Sequence, residues 1–218
     1  MKNLKVRIPM YFIGLFIMTV GIALSVKSDL GVSPVSSIPY TLTVVWGVEM
    51  GLATVLFHVV LVIIQLLLLR KRFKPKNLLQ IAVGIVFGLF TSLCNYLVSL
   101  IPFTDNLALR IVMLAVSIVI VAVGIFFYVP ADIIPLAGEG TMLAVCEITG
   151  FKFSSVKIGF DVTVAAVSLV TCLIAVHGMG SVGVGTIVSA ILTGIVLGAI
   201  TRVFGAKRDR LLNNTDNR

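Results

Sequence analysis

The sequence predicts an all-α, polytopic membrane protein: six transmembrane helices in two inverted three-helix repeats, with short re-entrant or interfacial half-helices. Three observations carry that expectation. The composition is too apolar for a water-soluble domain, six separate apolar runs have span length, and residues recur at a fixed offset of 103 positions. Of the 218 residues, 59% are hydrophobic and only 12% charged, with a mean hydropathy of +1.15. Soluble domains average about 45–50% apolar and about 25% charged residues.

A helix needs about 20 apolar residues, rising 1.5 Å each, to cross the hydrocarbon core. The first run covers 8–26, after "MKNLKVR". That start resembles a signal peptide, but the apolar stretch exceeds the roughly 7–15 residues of such a segment and further spans follow, so it reads as an uncleaved first span. The second run covers 52–69 and the third 77–101, on either side of a basic loop; the fourth covers 111–129, the fifth 156–176 and the sixth 181–203. All are too long for the about 9–11 residues of a barrel strand.

Charge sets the orientation. Lys2, Lys5 and Arg7 precede span one; Arg70, Lys71, Arg72, Lys74 and Lys76 fill the loop after span two; Lys152 precedes span five; Arg202, Lys207, Arg208, Arg210 and Arg218 end the chain. Six spans put these 14 of the 17 basic residues on one face. The positive-inside bias then makes both termini cytoplasmic, and the net charge of +8 reflects contact with anionic lipid rather than nucleic acid. Cys94, Cys146 and Cys172 lack CxxC spacing, so buried free thiols are expected, with no metal site and no cofactor.

Aligning Arg7 with Arg110 also aligns Met10 with Met113, Gly21 with Gly124, Asp29 with Asp132 and Gly47 with Gly150; a slip of three residues sets Gly88 over Gly194. Residues 1–104 and 105–206 thus read as two three-span repeats, with 207–218 a polar cytoplasmic tail. An odd number of spans inverts the second repeat, as in many secondary transporters. The connectors "SVKSDLGVSPVSSIPY" (25–40) and "YVPADIIPLAGEGTML" (128–143) then face opposite compartments. The apolar stretches at 35–48 and 141–149 are too short to span and read as half-helices, tolerable where protein or water satisfies their backbone.

Ionisable groups at membrane depth are costly, which makes each a site hypothesis. Asp29 and Asp132 serve gates or a cation site, or simply cap turns. Lys27 pairs with Asp29 or snorkels to the interface. Lys157 and Asp161, four apart on one helical face, form a substrate counter-ion or proton-linked switch, or a self-neutralising pair. His58 stands 103 positions before Asp161, as a matching polar group or as a satisfied packing residue. Glu139, in "GEG", receives a cationic group or is an exposed loop acid. Gln65, Asn95 and Thr186 read as interhelical hydrogen-bond formers. "GMGSVGVG" at 178–185 satisfies G-x-G-x-x-G, yet it follows a span rather than a strand and reads as glycines that let spans five and six pack closely. No HExxH or G-x-S-x-G occurs, and nothing points to an enzyme.

With these residues in hand, the sequence resembles the YczE/YyaS/YitT group of bacterial membrane proteins. "SDLGVSP", "PADIIPLAGEG", "VKIGFDV" and "GVGTIVSAILTG" carry the likeness, which covers nearly the whole chain. The short polar end favours the YczE branch over YitT relatives that carry a soluble C-terminal domain. The resemblance implies a bacterial inner-membrane protein and supplies no substrate. The expected function is a small secondary transporter or exporter of an unidentified solute or ion, completed by a homodimer; the alternative is a non-transporting partner of another complex.

Overall fold

The computed structural model describes residues 4–213; Lys2 and Arg218, counted above among the basic residues, lie outside them. The described residues form eight α-helices and no strand: α1 (Leu4–Ser28), α2 (Pro34–Trp46), α3 (Met50–Leu69), α4 (Leu79–Ser99), α5 (Leu107–Ala131), α6 (Ala137–Thr149), α7 (Phe153–Val176) and α8 (Val184–Asn213). Six are long and apolar enough to cross a membrane: α1, α3, α4, α5, α7 and α8. The other two, α2 and α6, have 13 residues each and reach only about 20 Å. The segment read as a polar tail begins as the last turns of α8, because Arg208 lies on the Phe126 ring, 4.5 Å from its centroid, and donates to the Phe126 carbonyl at 3.2 Å.

Helix ends repeat the same devices. Gly47 and Gly150 close α2 and α6 with φ of 67° and 72°, a left-handed conformation that costs glycine nothing. After α1 and α5 the same conformation falls on Asp29 and Asp132, at φ 51° and 49°, where a short side chain that bonds locally is tolerated.

Two tight crossings set the frame. A Cβ on Gly14 would stand 2.6 Å from the Tyr128 nitrogen, and one on Gly124 would stand 2.6 Å from the Met18 nitrogen, so α1 and α5 meet backbone to backbone. Gly51 and Gly88 do the same for α3 and α4. Around the first crossing Tyr11, Leu15, Met18, Ile22 and Tyr128 make the central core, with Phe87 of α4.

The second four helices do not copy the first. Whereas α3 packs along α4, α7 and α8 touch at most marginally, and only 17% of each span is buried. No atom lies within 4 Å of a Cβ built on Gly194, although Gly88 in the matching place is clamped by Gly51. The glycines at 178–185 also work differently from the expectation that they join spans five and six. Gly183 and Gly185 close on the Leu30 carbonyl of the α1–α2 connector, and it is Gly180 that presses closely on α7, at Cys172.

The short helices cross between the two sets. Along α7, α2 is held by Ser168 donating to Ser37 at 2.9 Å, and Thr41 is bonded at 2.6 Å to Ser181 of the connector between α7 and α8. Along α3, α6 is held by Gln65. Arginines tie the remaining ends. Arg7 donates to the Pro130 and Ala131 carbonyls that end α5, at 3.3 and 3.1 Å. Arg110 donates to the Ser28 carbonyl that ends α1 at 2.8 Å, to the Asp29 carbonyl, and to the Asp29 carboxylate at 2.8 Å. A cation at a helix C-terminus satisfies orphan carbonyls and opposes the negative dipole end. Arg110→Ala should therefore cost about 1–2 kcal/mol. Asp29→Asn, which removes only the charge of the half-exposed carboxylate and keeps a side chain tolerated in the left-handed conformation, should cost about 0.5 kcal/mol. Thermal melts in detergent measure both, and the reverse order would contradict the capping role.

Candidate functional site

The first turn of α6 is sunk into the protein. It lies beside Leu61 and Gln65 of α3, one to two turns short of that helix's end at Leu69. Gln65 donates to Gln80 of α4 at 2.9 Å, to the Ala137 carbonyl at 3.2 Å and to Thr141 at 3.3 Å. This network requires Gly140, where a Cβ would stand 2.5 Å from the Gln80 amide oxygen. Helix α6 therefore starts four residues earlier than the apolar pattern predicts, and Glu139 is in its first turn rather than in a loop.

Glu139 is held by Tyr128. The Tyr128 hydroxyl donates to its Oε2 at 2.6 Å while accepting from the Leu136 amide at 2.5 Å. Tyr11, whose ring centroid is 5.3 Å from that of Tyr128, donates to the Ile134 carbonyl at 2.7 Å. Burial pushes the Glu139 carboxyl above the ordinary carboxylate range, against the hydrogen bond from Tyr128 and the charge of Lys157, which pull the other way. Lys157 itself is bonded to Asp161 at 2.7 Å, and the second Asp161 oxygen, Oδ1, is buried without a hydrogen-bond partner. The Lys157 ammonium is thus paired with the Asp161 carboxylate on α7, and its charge also acts on the Glu139 carboxyl of α6.

A carboxyl raised in the folded state favours folding less as it ionises. The sign follows: the contribution is fully present below about pH 4.3, the ordinary glutamate value, and is lost as pH rises through the higher folded value. Melting of Glu139→Gln across pH 4–9 should lack that decline; an unchanged slope would assign it to another group.

The structure brings Glu139, Lys157 and Asp161 to one end, with the basic loop at Arg70–Arg72. It does not bring His58 to them. The His58 imidazole is buried beneath Gly84 between Phe57 and Phe87, with Nδ1 2.8 Å from the Thr54 carbonyl, and it hydrogen-bonds neither Lys157 nor Asp161. Although His58 and Asp161 share a register, α3 is covered by α4 at that level and α7 is not covered by α8. Asp132 is exposed at the end of α5, and Asp29 is paired with Arg110 at the opposite end. Gln65 does join helices, whereas Asn95 and Thr186 bond within their own segments. The three cysteines are free, two of them buried.

At the opposite end, a cavity of about 680 Å³ opens between the end of α1, α2, the start of α3 and the end of α4. Lys27, Tyr40, Glu49 and Asn95 line it with Val26 and Met50. Glu49 caps α3, accepting from the Gly51 and Leu52 amides at 2.9 and 2.8 Å and from Ser92 at 3.0 Å. Sequence reasoning passed over it, though an acid directly before an apolar helical run is a capping signal. Tyr128 was missed because nothing in an apolar helix marks a phenol as a carboxyl's partner.

Residues 5–202, which include Lys27, Glu49, Glu139, Lys157 and Asp161, match the family of unknown function DUF6198. The chain belongs to the DUF6198 family. As a DUF6198 member it is similar to "Uncharacterized membrane protein YczE" of Bacillus subtilis (strain 168), with 28% identity over 198 residues, 90% of this chain and 86% of the relative. It is also similar to "Uncharacterized protein YyaS" of the same organism, with 26% identity over 187 residues, 86% of this chain and 88% of the relative. No solved structure matches. This DUF6198 chain is an integral membrane protein of several spans.

Proposed function

We propose that this DUF6198 protein is a small secondary transporter of the bacterial plasma membrane, built from two inverted repeats with both termini cytoplasmic. The observation that carries the reading is the Glu139 carboxyl, sunk at the tip of a helix too short to span and clamped by Tyr128. An acid at that depth is expensive, and pumps and transporters use such groups as proton relays. Lys157 supplies the switch. With Glu139 neutral, the ammonium stays on Asp161; with Glu139 ionised, it is drawn toward α6, and the partner it leaves has a buried oxygen already short of a donor. Support for the inverted repeat comes from matched devices: equal short helices, left-handed aspartates and crossed arginine caps, each 103 positions apart. Asp29 and Asp132 then belong to the two gates, and His58 to the packing of the first repeat.

The test is transport in proteoliposomes with a trapped pH dye and an imposed potential, across panels of ions and metabolites. Solute-dependent proton movement is expected, and Asp161→Asn should abolish it with the melting midpoint intact. Unchanged flux in that variant would remove Asp161 from the mechanism. The exposed flank of α7 and α8 favours a second reading, a non-transporting partner of another complex or of a second copy. That reading predicts no flux for any solute and stoichiometric copurification with the partner.

A further inference from the structure

We infer that the cavity between α1, α2, α3 and α4 binds a soluble zwitterion of amino-acid type, its carboxylate on Lys27, its ammonium on Glu49 and its apolar body against Val26 and Met50. The inference deepens the transport reading by naming a substrate class, and rests on it only for what happens after binding. The cavity volume of about 680 Å³ lies within the roughly 300–1,000 Å³ of small-molecule sites. Two charges of opposite sign line it, and they are not spent on each other. The Lys27 ammonium makes no ion pair or hydrogen bond with any described residue. Glu49 uses its oxygens on the Gly51 and Leu52 amides and Ser92, which fix the carboxylate in place and leave lone pairs on both oxygens. A lone anion would meet Glu49 and a lone cation would meet Lys27, so each is repelled by one wall. A molecule carrying both charges is attracted by both, and Asn95 with the Tyr40 and Tyr96 phenols adds neutral donors and acceptors.

A phosphatidylethanolamine headgroup also carries both signs, and the test separates it from a soluble ligand. Melting of the full chain in detergent is measured with L-leucine, 5-aminovalerate, N-acetyl-leucine, leucine amide and a short-chain phosphatidylethanolamine. At about ten times its dissociation constant, one of the two zwitterions should raise the midpoint by about 3 °C, while the two blocked leucines do not. Lys27→Gln and Glu49→Gln should each weaken that zwitterion about tenfold or more. Glu49→Gln keeps an oxygen for capping, and Lys27→Arg should restore binding, which separates lost affinity from lost folding. Equal shifts from blocked and unblocked leucine, a shift from the lipid alone, or no shift from either zwitterion would each overturn the proposal. Zwitterion binding without flux would leave the site standing and defeat the transport reading; flux of another solute class without zwitterion binding would do the reverse.

Discussion

Glu139→Gln is expected to reduce solute-linked proton movement in proteoliposomes to the leak of empty vesicles, with the chain folded and its melting midpoint unchanged or raised at neutral pH. The amide keeps the shape of the carboxyl and accepts the Tyr128 hydrogen bond at the same oxygen, so the clamp survives. What is lost is the proton and the charge it leaves behind. Without a change of charge on α6, Lys157 has no reason to leave Asp161, and the two states of the switch collapse into one. Glu139→Asp retains the proton but shortens the reach to Tyr128 by a methylene, and should recover part of the flux. Tyr128→Phe removes the donor and should slow transport without abolishing it. If Glu139→Gln transports as the parent does, the proton does not travel through α6.

Gly124→Leu is expected to prevent recovery of folded protein, or to lower its melting midpoint by about 10 °C or more. Its Cβ would stand 2.6 Å from the Met18 nitrogen and 2.8 Å from the Gly14 carbonyl oxygen. Neither is the end of a flexible side chain, so the whole α1–α5 crossing must separate. Overpacking of a well-filled core costs about 1–3 kcal/mol when side chains can yield, and more when backbone must move. Gly194→Leu is the control: it adds the same side chain to a membrane helix where no neighbour stands within 4 Å, and should stay within about 0.5 kcal/mol of the parent. Similar midpoints for the two variants would mean that the α1–α5 contact does not hold the molecule together.

The spans were legible because length and apolarity decide them locally, and basic loops mark their ends. Glu139 was legible as a residue but not as an environment. Flanked by two glycines it reads as a turn, and the start of α6 is set by Gln65 and Gln80, more than fifty positions away in sequence, closing on Gly140. Propensity is a weak prior, and tertiary packing overrode it here. The match of His58 to Asp161 failed for a related reason. Equal positions in two halves imply equal surroundings only if the neighbours pack alike, and α8 does not seal α7 as α4 seals α3. Glu49 showed a signal that was passed over; Tyr128 showed none.

The exchange of α2 onto α7 and of α6 onto α3 bears on how the chain must be made. A gene cut between residues 104 and 105 would give two polypeptides, each presenting buried hydroxyls and amides, Ser37 and Thr41 on one and Gln65's partners on the other, to hydrocarbon. Neither fragment should survive quality control when synthesised alone, and both should accumulate when produced together in one cell. The ribosome must therefore finish α7 before α2 has its companion, so that early helix waits in the bilayer for most of translation.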